Sequence, residues 1–98
     1  MTSAELTVTR EDTPTRGRYV IDLGDGFEAE MNYTRPRDGV LSIHHTGVPS
    51  EFEGRGIAAR LVNAAINDAR AEGFKIEPLC SYVAAQFRRH REWSDLLA

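Results

Sequence analysis

Two glycines frame a short loop, Glu53-Gly54-Arg55-Gly56-Ile57-Ala58, whose backbone could bind an anion. Because glycine has no Cβ, the amide N–H groups of such a loop can converge on one point. An apolar helical pattern begins at about Arg55. The first N–H groups of a helix have no acceptor within it and lie at the positive end of its dipole. Two glycines at a helix start can also serve only to form the turn that leads into the helix. Here a strand precedes them, and that setting predicts a phosphate or pyrophosphate site.

The elements that must position this loop follow from the spacing of apolar residues. Alternation of apolar and polar residues predicts four consecutive strands, at 6–10, 18–23, 27–33 and 40–48, joined by turns at 11–16, 24–26 and 35–39. An apolar stripe from Ile57 to Ala69 predicts a helix over 55–72 that Gly73 ends. A fifth strand over 74–80 and a helix over 82–90 follow, and Trp93, Leu96 and Leu97 are expected to cap the domain.

The order β-β-β-β-α-β-α predicts an α/β fold of the mixed α+β type, in a single domain spanning residues 1–98. The fifth strand follows a strand–helix unit, so the right-handed crossover rule places it parallel to the fourth. We therefore expect a mostly antiparallel sheet with one parallel pair of strands.

Composition excludes several classes of protein. A formal net charge of −3 argues against a nucleic-acid partner, because such domains are normally basic. The single cysteine, Cys80, cannot form an internal disulfide, which fits a reducing, cytoplasmic location. Residues 1–10 lack the apolar run of a signal peptide, and no stretch approaches the ~18 apolar residues of a membrane span, so we expect no membrane partner. The oligomeric state is not encoded in any recognisable pattern.

The glycine loop fits neither of the common nucleotide-binding loops. No Gly-Lys-Ser/Thr follows it, as a Walker A loop requires. It also lacks the third glycine and the ribose-binding acidic residue of a dinucleotide fold. One cysteine and three scattered histidines lack the spacing of metal ligands, so no metal site is predicted.

Three segments together resemble the GNAT superfamily of N-acetyltransferases, and more narrowly its minimal, YjdJ-type branch. They are His45-Thr46-Gly47-Val48-Pro49, the glycine loop, and Pro78-Leu79-Cys80-Ser81-Tyr82-Val83. The resemblance extends over residues 17–93. It implies a minimal GNAT fold, in which the fourth and fifth strands splay apart, and acetyl-CoA as the cofactor.

The resemblance also implies which residues hold the pyrophosphate of acetyl-CoA. The GNAT loop pattern Gln/Arg-x-x-Gly-x-Gly/Ala falls on Glu53, Gly56 and Ala58, with Gly54, Arg55 and Ile57 completing the loop. Glu53 departs from the pattern, because an acidic side chain replaces a polar or basic one. The change should weaken the affinity of the loop for CoA. Arg55 could restore the positive charge, or it could be an ordinary solvated arginine.

In the same resemblance, the backbone of Thr46 and Val48 lies against the pantetheine amides, and His45 and Cys80 end the two splayed strands near the thioester. An imidazole titrates near neutral pH, so His45 could act as a general base. Cys80 could be an acyl-accepting nucleophile if its pKa were lowered, or simply a small buried hydrophobe. His44 and His45 are adjacent on a strand and are expected to face opposite sides, with His45 in the groove.

The last helix supplies two further candidate cofactor contacts, Phe87 and Arg88. The basic run Arg88-Arg89-His90-Arg91 could meet the 3′-phosphate of CoA, as the resemblance implies, or could be a solvated helix end near the C-terminal dipole. The apolar pattern also places Phe87 toward the core.

The predicted function is acetyl-CoA-dependent N-acetylation of an amine that the sequence does not name, such as an amine on a protein tail. The amine would attack the thioester directly with help from His45, or would attack an acetyl-Cys80 intermediate. The alternative is a module that binds acetyl-CoA or CoA without catalysis.

Overall fold

The computed structural model describes residues 6–98, which form a five-stranded sheet and two α-helices. The predicted order β-β-β-β-α-β-α is confirmed, with a 3₁₀ turn added at Ser50–Phe52 and another at Arg91–Leu96. The elements are β1 Val8–Asp12, β2 Arg16–Gly24, β3 Phe27–Arg37, β4 Val40–Gly47, α1 Ile57–Glu72, β5 Lys75–Pro78 and α2 Ser81–Arg89. The part of the signal-peptide prediction that concerns residues 1–5 lies outside the described residues. None of the helices within residues 6–98 is long and apolar enough to cross a membrane.

The strands lie in the sheet in chain order, β1-β2-β3-β4-β5. Neighbours from β1 to β4 pair antiparallel, and β5 pairs parallel to β4. The predicted mixed sheet, with one parallel pair after a crossover helix, is therefore confirmed.

All described helices pack on one face of this sheet. Alternate residues of the strands form that face, among them Tyr19, Met31 and Leu41, and they belong to one buried cluster with residues of α1, α2 and the last 3₁₀ turn. Helix α1 covers β1 to β3, and α2 covers β4 and β5. We call the opposite side of the sheet the open face.

Strand β3 is longer than predicted because a bulge accommodates its proline. The strand was expected to end at Tyr33, with a turn over 35–39. Instead, the register shifts between Thr34 and Arg37, and Pro36 lies in the bulged segment, where a missing N–H donor is tolerated. The actual turn is Asp38-Gly39, and Gly39 takes a positive φ of 77° that suits glycine.

A tyrosine that crosses β2 ties the first three strands together. The Tyr33 hydroxyl donates to Asp12 Oδ2 at 2.8 Å, and it reaches β1 by passing over Gly17. A Cβ at residue 17 would lie 2.5 Å from that hydroxyl and too close to the Cβ of Asp12. Only glycine leaves room for this contact.

Candidate active site

The glycine loop forms one wall of a cleft of about 380 Å³ at the point where β4 ends and α1 begins. The other walls come from the end of β4, the first 3₁₀ turn and the start of α2. The lining residues are Thr46, Val48, Phe52, Glu53, Gly54, Gly56, Ile57, Ala58, Ala59 and Tyr82. The structure thus brings together most of the cofactor-binding residues predicted from the sequence.

The loop has the geometry of a backbone anion site. Gly54 and Gly56 have φ values of 79° and 75°, in the left-handed region that favours glycine. Gly56 is the N-cap of α1, and among the described residues no side chain caps this helix and no acidic residue lies in its first turn. The first N–H groups of a 16-residue helix therefore lack side-chain acceptors and lie at the positive end of the dipole.

Two charged side chains border the cleft with opposite effects on an anion. The Arg55 guanidinium lies over the ring of Phe52, 5.3 Å from its centroid, and remains exposed. Glu53 lines the cleft and is also exposed, so its charge is partly screened by solvent.

Strands β4 and β5 diverge beside this cleft. Their last paired residues are Ile43 and Pro78, whereas β4 continues to Gly47. Strand β5 is shorter than the predicted 74–80 because the N–H groups of Leu79 and Cys80 both donate to the Ile43 carbonyl, at 3.0 Å each. Beyond that point the chain turns into α2, and the end of β4 lacks a β5 partner.

Cys80 is the N-cap residue of α2 and lies across the gap from β4. Its Sγ is 3.6 Å from Thr46 Oγ1, and the side chain is half-buried. Burial acts to raise the pKa of the thiol, but the backbone N–H groups of Val83 and Tyr82, with the hydroxyl and backbone of Thr46, outweigh it and lower the pKa. A thiolate at a helix N-terminus gains further from the dipole.

The sequence predicted that the two adjacent histidines face opposite sides of the sheet. This prediction is wrong. In the β3–β4 register, Asn32 pairs with His45 and Tyr33 pairs with Ile43, so His44 is the extra residue of a bulge. His44 Nε2 lies 2.7 Å from Thr34 Oγ1, and the His45 ring lies over Gly47, with Nε2 3.0 Å from the position of a Cβ there. Both exposed rings therefore lie on the open face.

This bulge separates His45 from Cys80. Thr46 pairs with Met31 and faces the helices, where Cys80 meets it, whereas His45 pairs with Asn32 on the open face. Among the described hydrogen bonds, none joins His45 to Cys80. The two candidate catalytic groups thus approach the gap from opposite sides of the sheet.

The structure does not bring Phe87 and Arg88 to the glycine-loop cleft. Phe87 is buried in the core against Trp93, with ring centroids 5.5 Å apart. Arg88 lines a separate cleft of about 780 Å³ with Arg91 and Leu97, on the other side of α2.

The side of α2 that faces the glycine loop carries Tyr82 and Arg89, which are two helical turns apart. Burial raises the pKa of the Tyr82 phenol, and the nearby Arg89 guanidinium opposes this rise, so the two side chains are close enough to interact. The sequence analysis predicted neither Tyr82 nor Arg89 as an individual site residue. Their seven-residue spacing was the available signal.

Phe52 and Ala59 also line the cleft without having been predicted. Phe52 lies in the 3₁₀ turn before the loop and contacts Phe27 edge-on, at 5.4 Å between ring centroids. Ala59 lies in the first turn of α1 and is half-buried. Neither residue type carries a chemical signal in the sequence.

A family model described as GCN5-related N-acetyl-transferase matches residues 18–96. The chain belongs to this family. Its fold is also similar to the NMR solution structure of a GCN5-like candidate N-acetyltransferase from Staphylococcus aureus, with a TM-score of 0.71 and 24% sequence identity, over 100% of this chain and 91% of that chain. At that identity the similarity shows the fold, so the expected GNAT-like fold is confirmed. Membership of the YjdJ-type branch stays a prediction.

Proposed function

We propose that this member of the N-acetyltransferase family transfers the acetyl group of acetyl-CoA to an amine. One observation carries the proposal. A single cleft joins the uncapped N-terminus of α1 to the place where β4 loses its β5 partner. A ligand with a pyrophosphate at one end and an amide-bearing chain at the other fits this pair of features.

The residues of the cleft divide into two binding regions. The backbone N–H groups from Gly54 to Ala58 would hold the pyrophosphate, because all of these residues except Arg55 line the cleft and they lie at the positive helix end. The backbone of Thr46 and Val48 would hold the pantetheine amides as an added strand does, since this part of β4 has no β5 partner. Acetyl-CoA would supply the activated acetyl group.

In the direct route, the neutral amine nitrogen attacks the thioester carbonyl carbon. A C–N bond forms, the C–S bond breaks, and CoA leaves as its thiolate. His45 would take the proton that the amine loses, directly or through a water molecule, and that proton finally reaches the CoA sulfur. The position of His45 on the open face supports this role, because the helix face of the gap is occupied by the cleft and α2.

In the two-step route, the Cys80 thiolate attacks the thioester carbonyl first and releases CoA. The neutral amine then attacks acetyl-Cys80: a C–N bond forms, the C–S bond breaks, the Cys80 thiolate is regenerated, and the proton lost by the amine passes through solvent to the released CoA thiolate. The lowered pKa of Cys80 and its helix N-cap position support this route. We favour the direct route, because the exposed end of the gap lies beside His45 and the direct route needs no acylated enzyme.

The routes are distinguished by measuring thiol release from acetyl-CoA in the presence of amines, for the parent protein, His45→Ala and Cys80→Ala. The direct route predicts a 10²–10⁴-fold lower kcat for His45→Ala. It also predicts a rate within roughly threefold of the parent for Cys80→Ala. Loss of turnover in Cys80→Ala, with an acetylated Cys80 detected by intact mass in the parent, would instead establish the two-step route.

One observation favours a second candidate, a non-catalytic CoA-binding module. The two candidate catalytic groups, His45 and Cys80, approach the gap from opposite sides of the sheet, and none of the described hydrogen bonds joins them. The Glu53 carboxylate lines the cleft and would weaken the binding of an anion by either candidate. The non-catalytic module predicts acetyl-CoA binding without thiol release for every amine. For either candidate, Glu53→Gln should tighten acetyl-CoA binding by roughly twofold to fivefold, the range of an exposed charge interaction.

A further inference from the structure

The open face of the sheet carries a groove of about 620 Å³ that has no role in the acetyl transfer proposed above. Side chains from β1 to β4 line it, and among residues 6–98 no helix packs on this side of the sheet. The residues that project into it include Glu11, Arg18, Glu30, Asn32, Thr34 and His44. His44 precedes His45 directly, so the groove ends beside the proposed general base.

Carboxylates outnumber cations around Arg18, which lines the groove. Arg18 forms three ion pairs, with Glu11 at 3.0 Å, Glu28 at 2.6 Å and Glu30 at 2.8 Å. Three carboxylates around one guanidinium leave a formal charge of −2. These carboxylates can accept further hydrogen bonds from solvent or from a ligand, because the glutamate side chains are 33% to 55% exposed.

Glu30 lies on β3 directly beside the end of β4, with its carboxylate on Arg18 of β2. Glu30 is the cross-strand partner of Gly47, and such partners have Cα atoms about 5 Å apart. Because Gly47 has no side chain, the open face has a notch between His45 and Glu30, and the His45 ring lies over it. A cation bound by a free Glu30 oxygen would therefore lie on the same face of the sheet as His45, one strand away.

A hydrogen-bond acceptor in the groove lacks a donor. Asn32 pairs with Arg18 on one side and His45 on the other, and its Oδ1 is shielded from solvent and accepts no hydrogen bond from the described residues. An unsatisfied buried acceptor costs about 1–3 kcal/mol. Rotation of the amide toward a ligand N–H would remove that cost.

We propose that the groove is the acceptor site and that the acceptor is a linear aliphatic polyamine, with one amine at the His45–Glu30 notch and a second ammonium among Glu11, Glu28 and Glu30. The inference rests on the proposed acetyl transfer. The charge excess selects a ligand with more than one positive charge. Strands β2 and β3 are paired along both edges, so the floor of the groove offers no free backbone to a peptide, and recognition through side chains suits a flexible cationic chain.

Arg16 makes the groove asymmetric. Arg16 lines the groove and pairs with Thr34 of β3. It lies four residues along β2 from Val20, the partner of Glu30. Four residues of extended strand span about 13 Å. A polyamine occupies the Glu30 end and gains nothing from Arg16, whereas an amino acid or peptide acceptor would place its carboxylate there.

The test is an amide NMR titration of the protein with spermidine, followed by the same titration with butylamine and with a lysine-containing peptide. The proposal predicts spermidine shifts at Arg18, Glu30, Asn32 and His44, and at least tenfold weaker binding of butylamine. Glu28→Gln with Glu30→Gln should weaken spermidine binding by roughly fivefold or more, since exposed ion pairs contribute modestly. Asp38→Asn, which removes one carboxylate from the exposed β3–β4 turn, should leave the affinity unchanged.

Several outcomes would overturn the proposal. They are the absence of open-face shifts with spermidine, equal binding of butylamine, preferential binding of the peptide, or a spermidine affinity that falls in Arg16→Gln. A parallel titration with acetyl-CoA separates this inference from the proposed function. If acetyl-CoA binds and spermidine does not, the acceptor assignment alone fails, whereas absence of acetyl-CoA binding removes the proposed function itself.

Discussion

Replacing Gly56 with alanine should remove acetyl-CoA binding while costing little stability. Gly56 has a φ of 75°, and a left-handed conformation costs an L-residue about 1–2 kcal/mol. A Cβ at this position would have no atom within 4 Å beyond its chain neighbours, so strain is the only expected penalty to folding. For a domain of this size, 1 kcal/mol lowers the melting temperature by about 4–8 °C.

The same Cβ would project into the open space where the proposed pyrophosphate binds. It would also resist the backbone conformation that turns the loop N–H groups toward the cleft. We expect at least a tenfold loss of affinity, which corresponds to about 1.4 kcal/mol or more of binding free energy. Calorimetric titration with acetyl-CoA, at a temperature well below the melting transition, measures this loss.

Gly39→Ala is the matched control. Gly39 has a φ of 77° and likewise has open space around its Cβ position, but it lies in the β3–β4 turn, away from the cleft. Both variants should lose similar thermal stability, and only Gly56→Ala should lose acetyl-CoA affinity. If Gly56→Ala binds acetyl-CoA within twofold of Gly39→Ala, the loop is not the pyrophosphate site and the reasoning is refuted.

Three further predictions concern other parts of the molecule. The alkylation rate of Cys80 should reach half its maximum below pH ~8.5, the ordinary thiol pKa. Thr46→Val should move that midpoint to higher pH, because it removes a hydrogen-bond donor to the thiolate. An unchanged midpoint in the variant would count against the Thr46 contact. Gly17→Ala should destabilise the protein by about 1–3 kcal/mol through overpacking, visible as a lower midpoint in urea unfolding. Arg89→Ala should weaken acetyl-CoA binding by roughly twofold to fivefold, while Arg88→Ala, on the other side of α2, should not; the reverse order would contradict the assignment of the two faces.

Periodicity and turn chemistry predicted the fold well because these signals are local. The apolar stripe of α1 and the stop at Gly73 match the observed helix Ile57–Glu72. The parallel pairing of β5 with β4 follows from chain connectivity alone. The glycine turn before α1 was also predictable, and Gly54 and Gly56 do adopt the positive φ values that glycine takes readily.

The features that sequence reasoning missed depend on register. Nothing in the pattern His44-His45 reveals a bulge, because a bulge is a property of two strands and the signal lies partly in β3. The same applies to Pro36, whose position in a strand depends on a second bulge. For α2, the basic run and the family resemblance suggested Arg88 as a cofactor contact. The packing of Phe87 sets the rotation of the helix and instead turns Arg89 toward Tyr82, which lines the cleft.

The measurement that tests the central claim most directly is an amide NMR titration with acetyl-CoA, with ATP at the same concentrations as the comparison. Our account predicts acetyl-CoA shifts concentrated at Thr46, Val48 and Gly54–Ala59 on one side of the gap and at Cys80 and Tyr82 on the other, with weaker shifts for ATP confined to the glycine loop. If acetyl-CoA shifted residues elsewhere, or if ATP produced the same shifts across both sides of the gap, the cleft would not be an acetyl-CoA site.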